Sequence, residues 1–144
     1  MSQENVDIVR RWLAAVPRTE DTQALVEEFW DEDGDYYPVR KFPEAVPCHG
    51  REQIARFATG YLDAWAYQHT INELIPFGDD RVLAHATLRT AGRESGVEVE
   101  GDIYYCFWLR HGRFFRAEDH LTPKGALGAL GLTGDTLEAV GLRE

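Results

Sequence analysis

The feature that most constrains this chain is a change of hydrophobic period near residue 68. Before it, apolar residues recur at three and four positions, the spacing of a helix face; after it they alternate, as on a strand. In QENVDIVRRWLAAV, the residues Val6, Val9, Leu13 and Val16 share a face with Trp12, which predicts a helix over 3–16. Pro17 limits it, and DTQALVEEFW predicts a second helix over 21–30, capped by Asp or Thr and burying Leu25, Val26 and Phe29. GREQIARFATGYLDAWA carries Ile54, Phe57, Tyr61, Leu62 and Trp65 at the same spacing and predicts a third over 51–66. Alternation then predicts strands over 69–77, 81–92, 97–110 and 113–122, joined by GDD, ESG and HG into an antiparallel meander. A short strand over 35–38, ended by Pro38 or pushed to an edge by it, precedes the loop KFPEAVPCHG, and a Gly-rich tail over 123–144 suits one or two short helices. Helices first and then a meander is an α+β pattern, with three helices covering one face of a strongly curved sheet of about four to six strands. Such an arrangement encloses a cavity, which is where small ligands bind.

Length and charge narrow the partners. At 144 residues the chain suits one domain, 1–144. Its 25 acidic residues outnumber 15 basic ones, and the basic ones are scattered, which argues against nucleic acid as a partner. No window approaches the ~20 apolar residues of a membrane span, and the polar start MSQENVDIVRR does not read as a signal peptide, so a cytoplasmic protein is expected. Cys48 and Cys106 form no CxxC, and the five histidines show no HxH or HxxxH spacing. No metal and no cofactor is expected from these patterns, and no phosphate loop or dinucleotide fingerprint appears.

Candidate chemistry centres on RFFRAEDHLT, residues 113–122. Alternation puts Ala117, Asp119 and Leu121 on one face and Arg116, Glu118, His120 and Thr122 on the other. Asp119 is then a carboxylate on an apolar face, where loss of water disfavours its charge and raises its pKa towards the range useful for proton transfer. The reverse parity would instead gather His85, Glu118 and His120. Tyr105 lies on the alternation Ile103, Tyr105, Phe107, Leu109, and its hydroxyl is a candidate donor to a substrate oxygen. Tyr37 is a similar candidate, with Tyr36 facing the opposite way. Trp12, Phe29, Tyr61 and Trp65 are aimed from the helices at the sheet, where with Phe107 they would line a pocket or fill it.

The phrases SQENVDIVRRWLAAV, CHGREQIARF, GDDRVLAH, SGVEVEGD and FWLRHGRFFRAEDHL followed by GALGALGL resemble the nuclear transport factor two-like superfamily, most closely its SnoaL-like branch. The resemblance covers nearly the whole chain. It implies a cone-shaped α+β pocket used by ketosteroid isomerases, polyketide cyclases, dehydratases and epoxide hydrolases, and by members without catalysis. In SnoaL-like cyclases an aspartate of the last hairpin is the acid/base of an aldol closure, and Asp119 falls at its place. Ala117 and Glu118 stand where that family has His and Trp. Against steroid isomerases, Trp12, Tyr37 and Tyr105 replace the oxyanion-hole Tyr, the base and the protonated Asp, which argues against that mechanism. No Asp-Arg-Asp relay of the epoxide-hydrolase kind can be assembled. The expected function is a cofactor-independent lyase, isomerase or cyclase acting on a small apolar or aromatic carbonyl compound. The alternative is a non-catalytic binding or interaction domain. A homodimer is expected through the outer sheet face, with Tyr104, Cys106 and Trp108 exposed to form it.

Overall fold

Where the period is 3.6 the chain is helical, and where it is 2 it is extended, in a computed structural model that describes residues 2–39 and 46–132. Helix α1 (Ser2–Ala15) runs into a 3-10 turn, Val16–Arg18, followed by α2 (Thr22–Phe29) and, later, α3 (Gly50–Ala64). The strands are β1 (Trp30–Tyr37), β2 (Cys48–His49), β3 (Trp65–Phe77), β4 (Arg81–Gly92), β5 (Glu98–Arg110) and β6 (Arg113–His120), with α4 (Pro123–Ala129) after them. They form one curved, unclosed sheet in the order β2-β1-β6-β5-β4-β3. The α+β class is as expected from the sequence. Four of the strands make the antiparallel meander, but β1 joins it parallel to β6, a long-range pairing that no local pattern announces.

Local chemistry sets the element ends. Asp21 caps α2 by accepting from the backbone N–H of Ala24 at 3.0 Å, and Thr122 caps α4 through Gly125 at 3.0 Å, with Pro123 in the first turn. The β5–β6 hairpin turns on His111 and Gly112, both at positive φ (54° and 74°), the geometry whose twist matches a two-residue hairpin. Asn5, on the buried face of α1, donates to the carbonyl of Asp79 at 2.7 Å and ties the helix to the β3–β4 turn.

Two apolar clusters hold the layers. On the inner face, Val6, Val9, Leu13, Val26, Phe29 and Ile54 of the helices pack on Val82, Ala84, Phe107 and Phe114 of the sheet. On the outer face, Ala126, Leu127 and Leu130 in and beside α4 cover Leu83, Tyr104 and Cys106. Burying Leu127 there is worth about 1.5–3 kcal/mol relative to an exposed side chain.

Three expectations need correction. Strand β1 begins at Trp30 rather than 35, because its register shifts between Trp30 and Asp35 and breaks the alternation that would mark a strand. Gly34 sits in that irregularity, where a Cβ would stand 2.5 Å from the Trp30 ring. Trp65 belongs to β3, not to α3: the helix passes into the strand with no loop, and the four-residue step from Tyr61 to Trp65 keeps one face in either element. Tyr104 and Cys106 are buried beneath α4 rather than exposed, so that part of the outer face is already occupied by the chain's own tail. The rest of the tail, 133–144, including EAVGL, lies outside the described residues. No helix among the described residues is long and apolar enough to cross a membrane.

Candidate active site

The site is a cavity of about 140 Å³ between the inner face of the sheet and helices α1 and α3. Its floor is the β5–β6 pair, where Tyr105 and Asp119 stand directly opposite each other. Trp12 closes it from α1, Phe57 and Tyr61 from α3, Tyr67 and His69 from β3, and Trp30 and Tyr36 from β1. Nine rings form a closed circuit around the space: Tyr36, Phe57, Tyr61, Tyr67, His69, Tyr105, Phe107, Phe114 and Trp30, and back to Tyr36. Successive centroids lie 4.7 to 6.4 Å apart, and most pairs meet edge to face or tilted, as ring quadrupoles favour. The indole N–H of Trp30 is buried without a partner.

Among the described residues Asp119 is the one carboxylate in this lining, and no lysine or arginine is with it there. Burial pushes its pKa from 3.8 up to about 7; the neighbouring Glu118 adds to the rise, and the hydroxyl of Tyr36, which donates to Oδ2 of Asp119, opposes it. The phenols are held protonated by the same environment. Burial first and the Asp119 charge second raise Tyr36 and Tyr105 well above the usual tyrosine range, and push Tyr61 up to about 12. His69 behaves in the opposite sense: burial lowers its pKa, partly offset by its bond to the Leu13 carbonyl. The cavity can therefore exchange one proton near neutral pH, at Asp119, amid groups whose protonation stays fixed.

Of the residues singled out from sequence, the fold brings Asp119, Tyr105, Trp12, Tyr61 and Phe107 to the cavity. It does not bring Tyr37, Phe29 or Trp65. Tyr37 faces outwards under the Arg116 guanidinium, 4.6 Å from its ring centroid, and Tyr36 takes the inward place. Phe29 is core, stacked on Phe114 at 6.2 Å and meeting Trp12 edge to face at 5.5 Å. Trp65 lines a separate groove with Val46, Pro47, Cys48 and Arg56. The reverse parity is not the one adopted: Glu118 bonds Arg116 and His120 on the outer face, and His85 stacks on Tyr104 there at 4.6 Å. Sequence reasoning missed Tyr36, Phe57, Tyr67 and His69. The last two were signalled by the alternation of Tyr67, His69 and Ile71 with Gln68, Thr70 and Asn72, which continues upstream of the predicted start of the strand. Among the described residues, no three His, Cys, Asp or Glu side chains converge as a metal site would require.

A curved, unclosed sheet covered by helices around a small aromatic cavity is the architecture of this chain. The chain belongs to the SnoaL-like domain family, whose model matches residues 9–117. No curated protein matches the chain in sequence. Among solved structures it is similar to a hypothetical protein of ketosteroid isomerase-like fold from Catenulispora acidiphila, in complex with trimethylamine, at 20% identity, 89% of this chain, 95% of that one and a TM-score of 0.68. It is also similar to a proposed SnoaL-like polyketide cyclase from Jannaschia, at 16% identity, 83% and 85% coverage and a TM-score of 0.72. A proposed isomerase from Bacillus subtilis matches at 19% identity, 91% and 95% coverage and a TM-score of 0.70. At these identities the common property is the fold.

Proposed function

We propose that the protein is a cofactor-independent acid/base catalyst, a lyase, isomerase or cyclase, that moves a proton on a small apolar carbonyl compound by means of Asp119. The observation that carries this reading is a half-buried carboxylate, raised to about 7, on the floor of an aromatic cavity with a tyrosine hydroxyl as its polar partner. In its ionised form Asp119 takes a proton from the carbon next to the carbonyl; in its acid form it returns one to carbon or oxygen. Tyr36 is placed to act as a positioning residue: its hydroxyl holds Oδ2, which leaves the other oxygen to face the substrate.

Hydrogen–deuterium exchange tests the reading without knowledge of the natural reaction. A panel of small cyclic and aryl ketones is incubated with the protein in heavy water, and deuterium entering the α carbon is followed by NMR. The expected result is incorporation that rises with pH through about 7 and is abolished in Asp119→Asn. Incorporation equal in the two proteins, or absent across the panel while the same ketones bind, would mean a pocket that holds ligands without chemistry. The expected homodimer is proposed only for the part of the outer face that α4 leaves open, on β3 and the first half of β5, and sedimentation velocity decides it: a monomer at tens of micromolar removes it.

A further inference from the structure

The hydroxyl of Tyr105 looks at first like a donor for a substrate oxygen. Its surroundings assign it the other role. The two ring nitrogens of His69 have different partners: Nε2 lies 2.5 Å from the carbonyl oxygen of Leu13 at the end of α1, and Nδ1 lies 3.3 Å from the Tyr105 hydroxyl. A carbonyl only accepts, so Nε2 carries the proton. Burial keeps His69 neutral, and a neutral imidazole with its proton on Nε2 has only a lone pair at Nδ1. Tyr105 must then donate to Nδ1. Its one hydrogen is spent on the protein, and what its oxygen offers the cavity is a lone pair. Two strands away, on β1, Tyr36 is spent in the same way, since its hydrogen goes to Asp119. The wall formed by β1, β6 and β5 thus presents hydroxyl oxygens that accept, beside one carboxyl group.

We propose that His69 is a positioning residue that fixes Tyr105 as a hydrogen-bond acceptor, so that the cavity selects a neutral ligand bearing its own hydroxyl, an apolar hydroxy-carbonyl compound, over one offering acceptor oxygens alone. This rests on the reading of the cavity as the substrate site, and adds to it the polarity of the substrate. The hydroxyl would be served by Tyr105, which stands directly opposite Asp119. A ligand without a hydroxyl would leave the Tyr105 oxygen desolvated and unpaired, the situation that makes polar sites discriminate strongly. Anionic ligands fit poorly, because the described lining holds no cation to receive them.

Two measurements test this. Long-range proton–nitrogen NMR on the labelled wild-type protein at pH 7 reads the tautomer directly: a neutral ring with the proton on Nε2 is expected, and a charged ring or a proton on Nδ1 overturns the proposal. The second uses para-cresol and its methyl ether, para-methylanisole, as probes of a size such a cavity holds, with calorimetry as the readout. Burial alone favours the ether. The expected result is that the cresol binds about tenfold more tightly, as one well-placed hydrogen bond allows. In His69→Leu, which releases the Tyr105 hydrogen towards the cavity, and in Tyr105→Phe, which removes the oxygen, that preference is expected to vanish or invert. Equal affinities in the wild type, no measurable binding of the cresol, or a preference unchanged in both variants overturns the proposal. Neither measurement involves turnover, so failure of ketone exchange at Asp119 and failure of hydroxyl selection at Tyr105 are separable results.

Discussion

Glu118 and Asp119 are consecutive carboxylates on β6, and the sheet gives them opposite surroundings. Glu118 points to the outer face, where it accepts from Arg116 at 2.6 and 2.8 Å and from His120 at 3.1 Å. The Arg116 guanidinium is itself held between the rings of Tyr37 and Trp108, at 4.6 and 5.4 Å from their centroids. Asp119 points inwards, where its polar partner is the Tyr36 hydroxyl and the rest of its environment is aromatic. Across to β5 the same step separates Cys106, beneath α4, from Tyr105, in the cavity. One position along a strand divides a compensated charge from an uncompensated one. The surroundings of a charge here are a matter of facing.

The largest effect is expected from opening the inner environment. Phe107 is 2% exposed and belongs to the ring circuit between Tyr105 and Phe114. Phe107→Ala should cost about 3–5 kcal/mol in urea denaturation, the usual range for an aromatic removed from a core. Water entering the enlarged cavity should also bring the Asp119 pKa down from about 7 towards 3.8 in a carbon-detected titration. An unchanged pKa would show that burial by this wall is not what raises it.

Next comes the pH dependence of stability. Between about 4 and 7 the native protein holds a proton on Asp119 that the unfolded chain has released, so the contribution of this group to stability falls as pH rises through that window and levels off above it. The total is roughly 4 kcal/mol at most, at about 1.4 kcal/mol per unit. Asp119→Asn should abolish this slope and should be the more stable protein at pH 8, which urea titrations across the range would show. A wild type whose stability runs parallel to that of Asp119→Asn from pH 4 to 7 would mean that the carboxylate is compensated after all. A smaller effect tests its hydroxyl partner: Tyr36→Phe removes a bond made to the charged form, so the Asp119 pKa should move up, not down, in the same titration.

What the sequence made legible follows the same division. Asp119 and Tyr105 were readable because the β5–β6 register runs unbroken from Tyr104 opposite His120 to Trp108 opposite Arg116, clear of the shift between Trp108 and Leu109, and within such a stretch alternation fixes facing. Tyr36 was not, because the register shift between Trp30 and Asp35 hides the parity of β1, and Pro38 drew attention to Tyr37 instead. Phe29 and Trp12 carry the same helical signal, yet one fills the core and the other lines the cavity; periodicity gives the face of a helix but not the depth of the sheet beneath it. The burial of Cys106 and Tyr104 depended on where a Gly-rich tail would dock, which is a tertiary fact. The chain Leu13, His69, Tyr105 joins residues 36 and 56 positions apart in sequence, and no spacing rule reaches that far.

The smallest effect is expected on the outer face, and it completes the contrast. Arg116 is 42% exposed and Glu118 14%, so the pair sits at a boundary where water screens the attraction and ordering two side chains offsets part of it. Glu118→Gln keeps the shape and the bond-accepting oxygen while removing the charge, and should change stability by less than about 1 kcal/mol. Its effect on Asp119 is the sharper readout, since the Glu118 charge raises that group. Loss of the charge should lower the Asp119 pKa slightly, by much less than Phe107→Ala does, because burial is the first cause and the neighbouring charge the last. If Glu118→Gln instead moved Asp119 as far as opening the cavity does, the two faces of β6 would be one electrostatic unit, and the isolation of the inner carboxylate would have to be explained by charge repulsion through the strand rather than by the loss of water around it.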